Sequence, residues 1–412
     1  MNPNILNEKL NQIFGYKDFL PGQLEIIQQI MRGSDILAVM PTGAGKSLCF
    51  HLPAILLKGQ TIVVSPLVAL MEDQTAVLRD VGINAGVIHS GMQRDQNIQE
   101  WKRFSAGDSK ILYLSPERLM QERMLAYIKK LKIDMFVIDE AHCITKWGAG
   151  FRPDYEALSR LKELFPDAII AAFTATADKA TRADIVEKLS RGNSQIIVRG
   201  FDRPNLFLSV NQKHDTKTNL LSFLKSRKKQ CGIVYCLSRK ETDEITAYLI
   251  QQGFNALAYH AGKSSYYRKE AQERFMAVDD LVMVATIAFG MGIDKANIRY
   301  VVHTSLPGSI EAFYQEIGRS GRDGKPSDTV MYYGLSDIVK RQKLIFDGDG
   351  DEKFKLFEYK RLEALIGYCE TTNCRRKALL AYFDEEIDHC GNCDNCISPP
   401  TLVDGTELAQ MA

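Results

Sequence analysis

The chain has 412 residues, 45% of them apolar and 25% charged, with 52 basic against 51 acidic side chains and a formal net charge of +1. That composition is ordinary for a globular protein of two or three domains at roughly 100–200 residues each, and it excludes a chain that holds nucleic acid through a broad positive field. No apolar run reaches the roughly 18 residues of a membrane span, and the polar start MNPNILNEKLNQIFGY lacks a secretory pattern. A cytoplasmic protein with no membrane contact is therefore expected. Of nine cysteines, Cys49, Cys143, Cys231, Cys236 and Cys369 lie in or beside apolar or mixed stretches, as buried thiols in a reducing compartment do.

Along the chain, strand-length apolar runs alternate with amphipathic segments. ILAVM (36–40), TIVVSP (61–66), KILYLSP (110–116), MFVID (135–139) and AIIAAFTATA (168–177) read as strands, with helices such as PGQLEIIQQIMRG and ALMEDQTAVLRDVG between them. Buried strands alternating with helices imply a parallel sheet covered on both faces. The pattern pauses at Arg199–Asn211, read as a linker, and restarts with GIVYCLS (232–238), NALAYHAG (255–262), LVMVAT (281–286), IRYVVHTSLP (298–307) and TVMYYG (329–334). From Asp337 onward the strand-like runs stop and helical patterns lead into a cysteine cluster. We expect an α/β fold with units at 1–205, 206–336 and 337–412, the last small and mainly helical.

LAVMPTGAGKSLCF follows an expected strand and opens an expected helix. Gly43 and Gly45 would let backbone N–H groups approach phosphate oxygens, Lys46 would reach the outer phosphates, and the Ser47 hydroxyl would hold Mg2+. About 90 residues on, MFVIDEAH ends a buried strand in Asp139 and Glu140. The first carboxylate suits a magnesium water shell and the second an attacking water. In YQEIGRSGRDG, Arg319 and Arg322 stand three apart and are expected on one helix face, where two guanidiniums would meet charge on a transferring phosphoryl group. The nucleotide would then lie between two lobes.

Near the end, Cys374 precedes Cys390 by sixteen positions, and Cys390, Cys393 and Cys396 follow in CxxCxxC spacing. Four thiolates so spaced suggest a tetrahedral structural zinc, with Cys369 and His389 as rival ligands. An iron–sulfur run would need a further Cys followed by Pro, which ISPP does not supply. The basic cluster KSRKK at Lys225–Lys229 reads as a solvated helix face, whereas Arg375, Arg376 and Lys377 beside the zinc are placed to touch duplex DNA.

Taken together and in order, these stretches resemble the RecQ helicases of helicase superfamily two over nearly the whole chain. FGYKDFLPGQLEII resembles the family's adenine-reading motif, with Tyr16 and Gln23; MPTGAGKSLCF resembles Walker A, from Thr42 to Ser47; SPLVALMEDQ resembles motif Ia, with Ser65 a DNA contact. VIDEAHCI resembles Walker B, FTATA motif III with Thr174 and Thr176, GIVYCLSRK motif IV with Ser238 and Arg239, VATIAFGMGIDKANIRYVVH motif V with Asp294, and YQEIGRSGRDG motif VI with Gln315, Arg319 and Arg322. GFDRPN between the lobes is also typical of the family.

The resemblance implies two tandem RecA-like domains plus a helical zinc-binding region. It implies ATP, Mg2+ and Zn2+ as cofactors, catalytic roles for Lys46, Asp139, Glu140, Gln315, Arg319 and Arg322, nucleotide contacts from Tyr16, Gln23, Thr42, Gly43, Gly45, Ser47 and Asp294, and zinc ligation by Cys374, Cys390, Cys393 and Cys396. The implied activity is 3′→5′ translocation on DNA with unwinding, in repair and recombination. Single-stranded and duplex DNA, a single-stranded-DNA-binding protein and recombination factors would be partners of a monomer. An aromatic-rich loop after Walker B, here Trp147, Phe151 and Arg152, would sense single-stranded DNA by stacking. In that loop Lys146, Ala149 and Gly150 stand where the family has Gln, His and Asp, while Leu20 replaces an Arg and Leu237 an Asn. The alternative is a DNA-binding ATPase with weak or uncoupled unwinding. Relatives continue into a winged helix where this chain ends, so a shortened chain or a short member of the family is expected.

Overall fold

In a computed structural model of the chain, residues 2–41, 43–145, 152–190, 194–290, 293, 295–348 and 350–401 are described. Seven strands, β1 (Ile36–Val39), β2 (Gln60–Val64), β3 (Ala85–Ile88), β4 (Ile111–Leu114), β5 (Ile133–Ile138), β6 (Ile169–Thr174) and β7 (Gln195–Val198), form one sheet in the order β3-β4-β2-β5-β6-β1-β7. Six more, β8 (Leu206–Gln212), β9 (Gly232–Tyr235), β10 (Ala256–Tyr259), β11 (Val282–Ala285), β12 (Tyr300–His303) and β13 (Ser327–Tyr333), form a second in the order β10-β11-β9-β12-β13-β8. Every pairing is parallel.

The strand interiors explain the sequence pattern. ILAV, ILYL and GIVY are buried at every position because helices cover both faces, so they read as solid apolar runs rather than as alternation. Phe136, Ile138, Leu37 and Val39 pack into the core on one face of the first sheet; Met135, Val137, Ile36 and Ala38 pack on the other. Because β5, β6 and β1 are neighbours, the segments leaving their C-terminal ends, Asp139–Glu140, Thr174–Thr176 and the phosphate loop, emerge side by side.

One expectation is corrected. Arg199–Asn211 is not all linker: β8 begins at Leu206 and pairs with β13 residue for residue from Leu206 opposite Ser327 to Gln212 opposite Tyr333. As an edge strand it buries Leu206 and Leu208 and leaves Asn211 and Gln212 exposed, which blurs the apolar run. β3 and β7 were also not anticipated; β7 is an edge strand with Ile196 and Val198 exposed.

After β13 the chain is helical, with helices Leu335–Phe346, Glu352–Glu370, Arg375–Ala381 and Asp394–Ile397. This region packs on the second sheet, where Val210 N donates to Asp394 Oδ2 at 2.8 Å and Leu208 bridges to Cys393. It also reaches the first lobe, pairing Asp384 with Arg182. Among the described residues, no helix is long and apolar enough to cross a membrane.

Candidate nucleotide site between the sheets

The phosphate loop turns between β1 and helix Lys46–Leu56 through Gly43 and Gly45, both at positive φ (87° and 72°), a region that L side chains rarely adopt. Lys46 and Ser47 are the first two residues of that helix, where free N–H groups and the helix dipole favour an anion. Gln23 is buried against this loop. Its Nε2 donates to the carbonyls of Ala44 and Gly45 at 3.2 and 3.1 Å, and its Oε1 accepts from Leu20 N at 2.8 Å. Tyr16 and Leu20 are exposed, and Leu20 lies beside Gly45.

The carboxylate pair faces Lys46. Burial and the neighbouring Glu140 push the Asp139 carboxyl up to about 7, with Lys46 pulling against them. Burial also opposes the charge on Glu140, but Lys46, His142 and Arg319 outweigh it and hold that carboxyl below its ordinary value. Glu140 has a left-handed backbone (φ 49°) and a buried Oε2 with no hydrogen-bond partner, 3.3 Å from His142 Nδ1. Two adjacent carboxylates, one raised and one with an orphaned oxygen, fit a divalent cation and its water shell.

Beside Glu140, a hydrogen-bonded chain starts at His142 and crosses to the second lobe. His142 Nδ1 lies 2.9 Å from Thr174 Oγ1, Thr174 Oγ1 donates to Thr176 O at 3.1 Å, and Gln315 Nε2 donates to Thr176 Oγ1 at 2.8 Å. Burial lowers the His142 pKa, with the neighbouring Glu140 pulling the other way. Arg319 donates to Gly290 O and acts on Glu140, while the Arg322 side chain comes within 3.5 Å of where a Cβ on Gly43 would lie. The two arginines do not share a helix face. The helix ends at Ile317, capped by Gly318, and Arg319 and Arg322 sit in the turn beyond it, bent by Gly321 at φ 57°.

Of the residues expected to meet DNA, Arg239 and Ser238 are exposed at the start of helix Arg239–Gln251, where Ser238 Oγ accepts from Glu241 N at 3.1 Å. Ser65 is buried and its hydroxyl has no hydrogen-bond partner, and Thr174 and Thr176 are buried, so these side chains offer no open surface. Arg152 itself bonds to motif Ia, its Nη1 donating to Pro66 O at 3.0 Å. Thr42, Lys146, Trp147, Ala149, Gly150, Phe151 and Asp294 lie outside the described residues.

At the other end of the molecule the Sγ atoms of Cys374, Cys390, Cys393 and Cys396 lie within 4.8 Å of one another, with Cys390 and Cys396 at 3.9 Å. A tetrahedral zinc with sulfurs at about 2.3 Å sets them about 3.8 Å apart, so this set fits the ion. Burial opposes ionisation of Cys374, yet N–H groups of Lys377 and Cys390 bring its thiol down to about 7. Cys369 points to Met331 instead, at 3.5 Å.

The DEAD/DEAH box helicase family matches residues 20–185, the helicase conserved C-terminal domain residues 213–324, and the RecQ zinc-binding family residues 335–397. The ATP-dependent DNA helicase RecQ of Haemophilus influenzae is 42% identical over 402 residues, covering 97% of this chain and 65% of that protein. The Bacillus subtilis protein of the same name is 39% identical over 405 residues, covering 98% of this chain and 68% of its own length. The chain belongs to the RecQ family. It spans about two thirds of the length of these relatives. The fold also matches the Mycobacterium smegmatis helicase Lhr bound to ssDNA and AMP-PNP, with TM-score 0.62 and 20% identity over 84% of this chain and 50% of that one.

Within this RecQ-family chain, the zinc-side arginines are not a DNA surface. Arg375 and Arg376 are buried: Arg375 Nε meets Asp394 at 2.8 and 2.9 Å, and Arg376 Nη1 meets Asp202 Oδ1 at 2.8 Å. Their guanidiniums are spent on carboxylates that a run of basic letters does not reveal; Lys377 remains exposed. The sequence reading gave no role to His142, Glu311, Arg361 or Arg203. His142 is the fourth letter of DEAH, which was signal enough. Arg361 is buried on Glu311 at 2.7 Å, fifty residues away, and nothing local announced that pair.

Proposed function

We propose that the chain is an ATP-driven motor on single-stranded DNA that translocates 3′→5′ and unwinds duplex, in DNA repair and recombination. The observation that carries this is the hydrogen-bonded chain from His142 through Thr174 and Thr176 to Gln315, with His142 Nδ1 3.3 Å from Glu140 Oε2. It joins the histidine beside the carboxylate suited to orient a water with the helix whose end holds Arg319 and Arg322. A change in lobe spacing would therefore strain the bond from Gln315 to Thr176, whose chain ends at the histidine beside Glu140.

Lys46 and the N–H groups of the loop would bind phosphate, Asp139 would hold magnesium through its water shell, and Glu140 would take the proton of the attacking water. Magnesium supplies charge neutralisation at the phosphates. Arg152 supports a path from DNA, since it bonds to the segment following β2. The zinc adds folding energy rather than chemistry.

The test is the steady-state ATPase rate with and without single-stranded DNA, alongside strand displacement on duplexes with a 3′ or a 5′ tail. We expect DNA to raise the rate at least about 10-fold, Lys46→Ala to abolish it, Trp147→Ala to remove the stimulation, and only the 3′ tail to support displacement. A wild-type rate that ignores DNA would reduce the protein to a DNA-binding ATPase.

A further inference from the structure

The linker between the sheets brings one more guanidinium to the site. Arg203 Nη2 donates to the carbonyls of Ser320 and Gly321 at 3.0 and 2.9 Å, and its Nη1 lies 3.5 Å from Gly318 O. Asn205 Nδ2 adds bonds to Gly321 O and Lys325 O at 2.8 and 2.9 Å. These carbonyls belong to the turn that carries Arg319 and Arg322. A Cβ on Gly321 would fall 2.4 Å from Asn205 Nδ2, so a side chain there would displace the latch. On its other side Arg203 faces the phosphate loop, with Nη1 3.9 Å from where a Cβ on Gly43 would lie.

The linker is itself held by the zinc region. Phe201 stacks on Phe383 with centroids 4.3 Å apart and planes at 12°. Phe201 N donates to Glu385 Oε2 at 2.5 Å, and Asp202 accepts from Arg376 at 2.8 Å. Arg376 is the second residue of the helix capped by Cys374, whose thiolate is one of the four zinc donors. A continuous set of contacts thus runs from the metal cluster to the arginine turn.

We propose that Arg203 is a positioning residue for ATP hydrolysis: it seats the turn bearing Arg319 and Arg322 against the phosphate loop, and the zinc region fixes Arg203 through Asp202 and Phe201. This rests on the proposed ATPase function. Gly321, at positive φ, turns the chain between the two arginines, and the bonds from Arg203 and Asn205 to the carbonyls around it help set where the arginines point. Only a planar fork with several donors serves several carbonyls at once, so lysine is no substitute. A displacement of about 1 Å in such a site costs about 100-fold in rate.

The test compares DNA-stimulated kcat, KM for ATP and thermal stability of the full chain with Arg203→Lys, Arg203→Met and Asp202→Asn. Both Arg203 variants should lose about 10- to 100-fold in kcat with KM within about 3-fold and an unchanged melting temperature. Asp202→Asn should show the same split, more weakly. Retained kcat in Arg203→Lys, with a raised KM in Arg203→Met, would make Arg203 a simple phosphate-binding charge and overturn the proposal. So would an unchanged kcat in both, or a kcat that falls only together with the melting temperature. A wild-type chain with no ATPase would instead bring down the functional reading and this inference with it.

Discussion

His51 lies on the phosphate-loop helix, 4% exposed, with Nε2 2.6 Å from the Tyr113 hydroxyl. Burial pushes its pKa down to about 3, below the ordinary 6.5. A value depressed by folding contributes stability above the unfolded pKa, and that contribution is lost as pH falls from 6.5 toward 3. At pH 5 the loss is about 2 kcal/mol. Urea unfolding at pH 7 and pH 5 should show it, and in His51→Gln the difference between the two should shrink by that amount; an unchanged difference would refute the assignment. At this scale the sequence was legible where chemistry fixes spacing. Lys46, Asp139 and Glu140 do meet, because a phosphate loop and a strand-end carboxylate pair must. Arg319 and Arg322 were misplaced because helical periodicity was carried past Gly318, where the helix stops. His51 itself gave no signal: nothing in SLCFHLP tells a buried neutral ring from a catalytic one.

Helix Arg375–Ala381 shows what an element conceals. Arg375 donates to Asp394, to Tyr368 O and to Cys369 O, all about 3 Å away, joining three separate stretches around the cysteines. Removing one member of a buried pair strands the other, so Arg375→Met should cost about 2–3 kcal/mol and speed zinc loss to a chromogenic chelator, whereas Lys377→Ala should change neither. Equal chelation rates in the two variants would show that Arg375 does not support the metal site. The cysteine spacing was readable because the ion dictates it. The partners of the arginines were not, since Asp202 lies far upstream of Arg376. Most strand runs stood out where both faces are covered; β7 and β8 were missed because these edge strands half-face water, and buried β3 because AGVI carries only two large apolar side chains.

For the whole molecule, the balance of 52 basic and 51 acidic residues limits how it holds a polyanion. With local contacts to about 4–6 phosphates, the affinity for single-stranded DNA should fall with log salt at a slope of about −3 to −4. Fluorescence anisotropy between 50 and 200 mM salt (about the range in which such slopes are read) measures this, and a slope steeper than about −7 would mean a cationic surface that the charge count does not suggest. The two-lobe plan was legible because the strand–helix alternation pauses once and restarts. The contacts onto the second lobe, Gln315 with Thr176 of the first lobe and Ser320 with Arg203 of the linker, were not, because each joins segments more than a hundred residues apart.

That the second sheet sets its first strand beside its last also bears on how the chain is made. Leu206 lies opposite Ser327, and in the first sheet Ile36 lies opposite Gln195. Each sheet is complete only when its final strand has left the ribosome. Until then β8 offers an unpaired backbone edge and bare Leu206 and Leu208, and closing the gap must overcome the entropy of a long loop. During synthesis that edge is open to pairing with a neighbouring nascent copy, so the hazard of misassembly lies in the order in which the strands arrive.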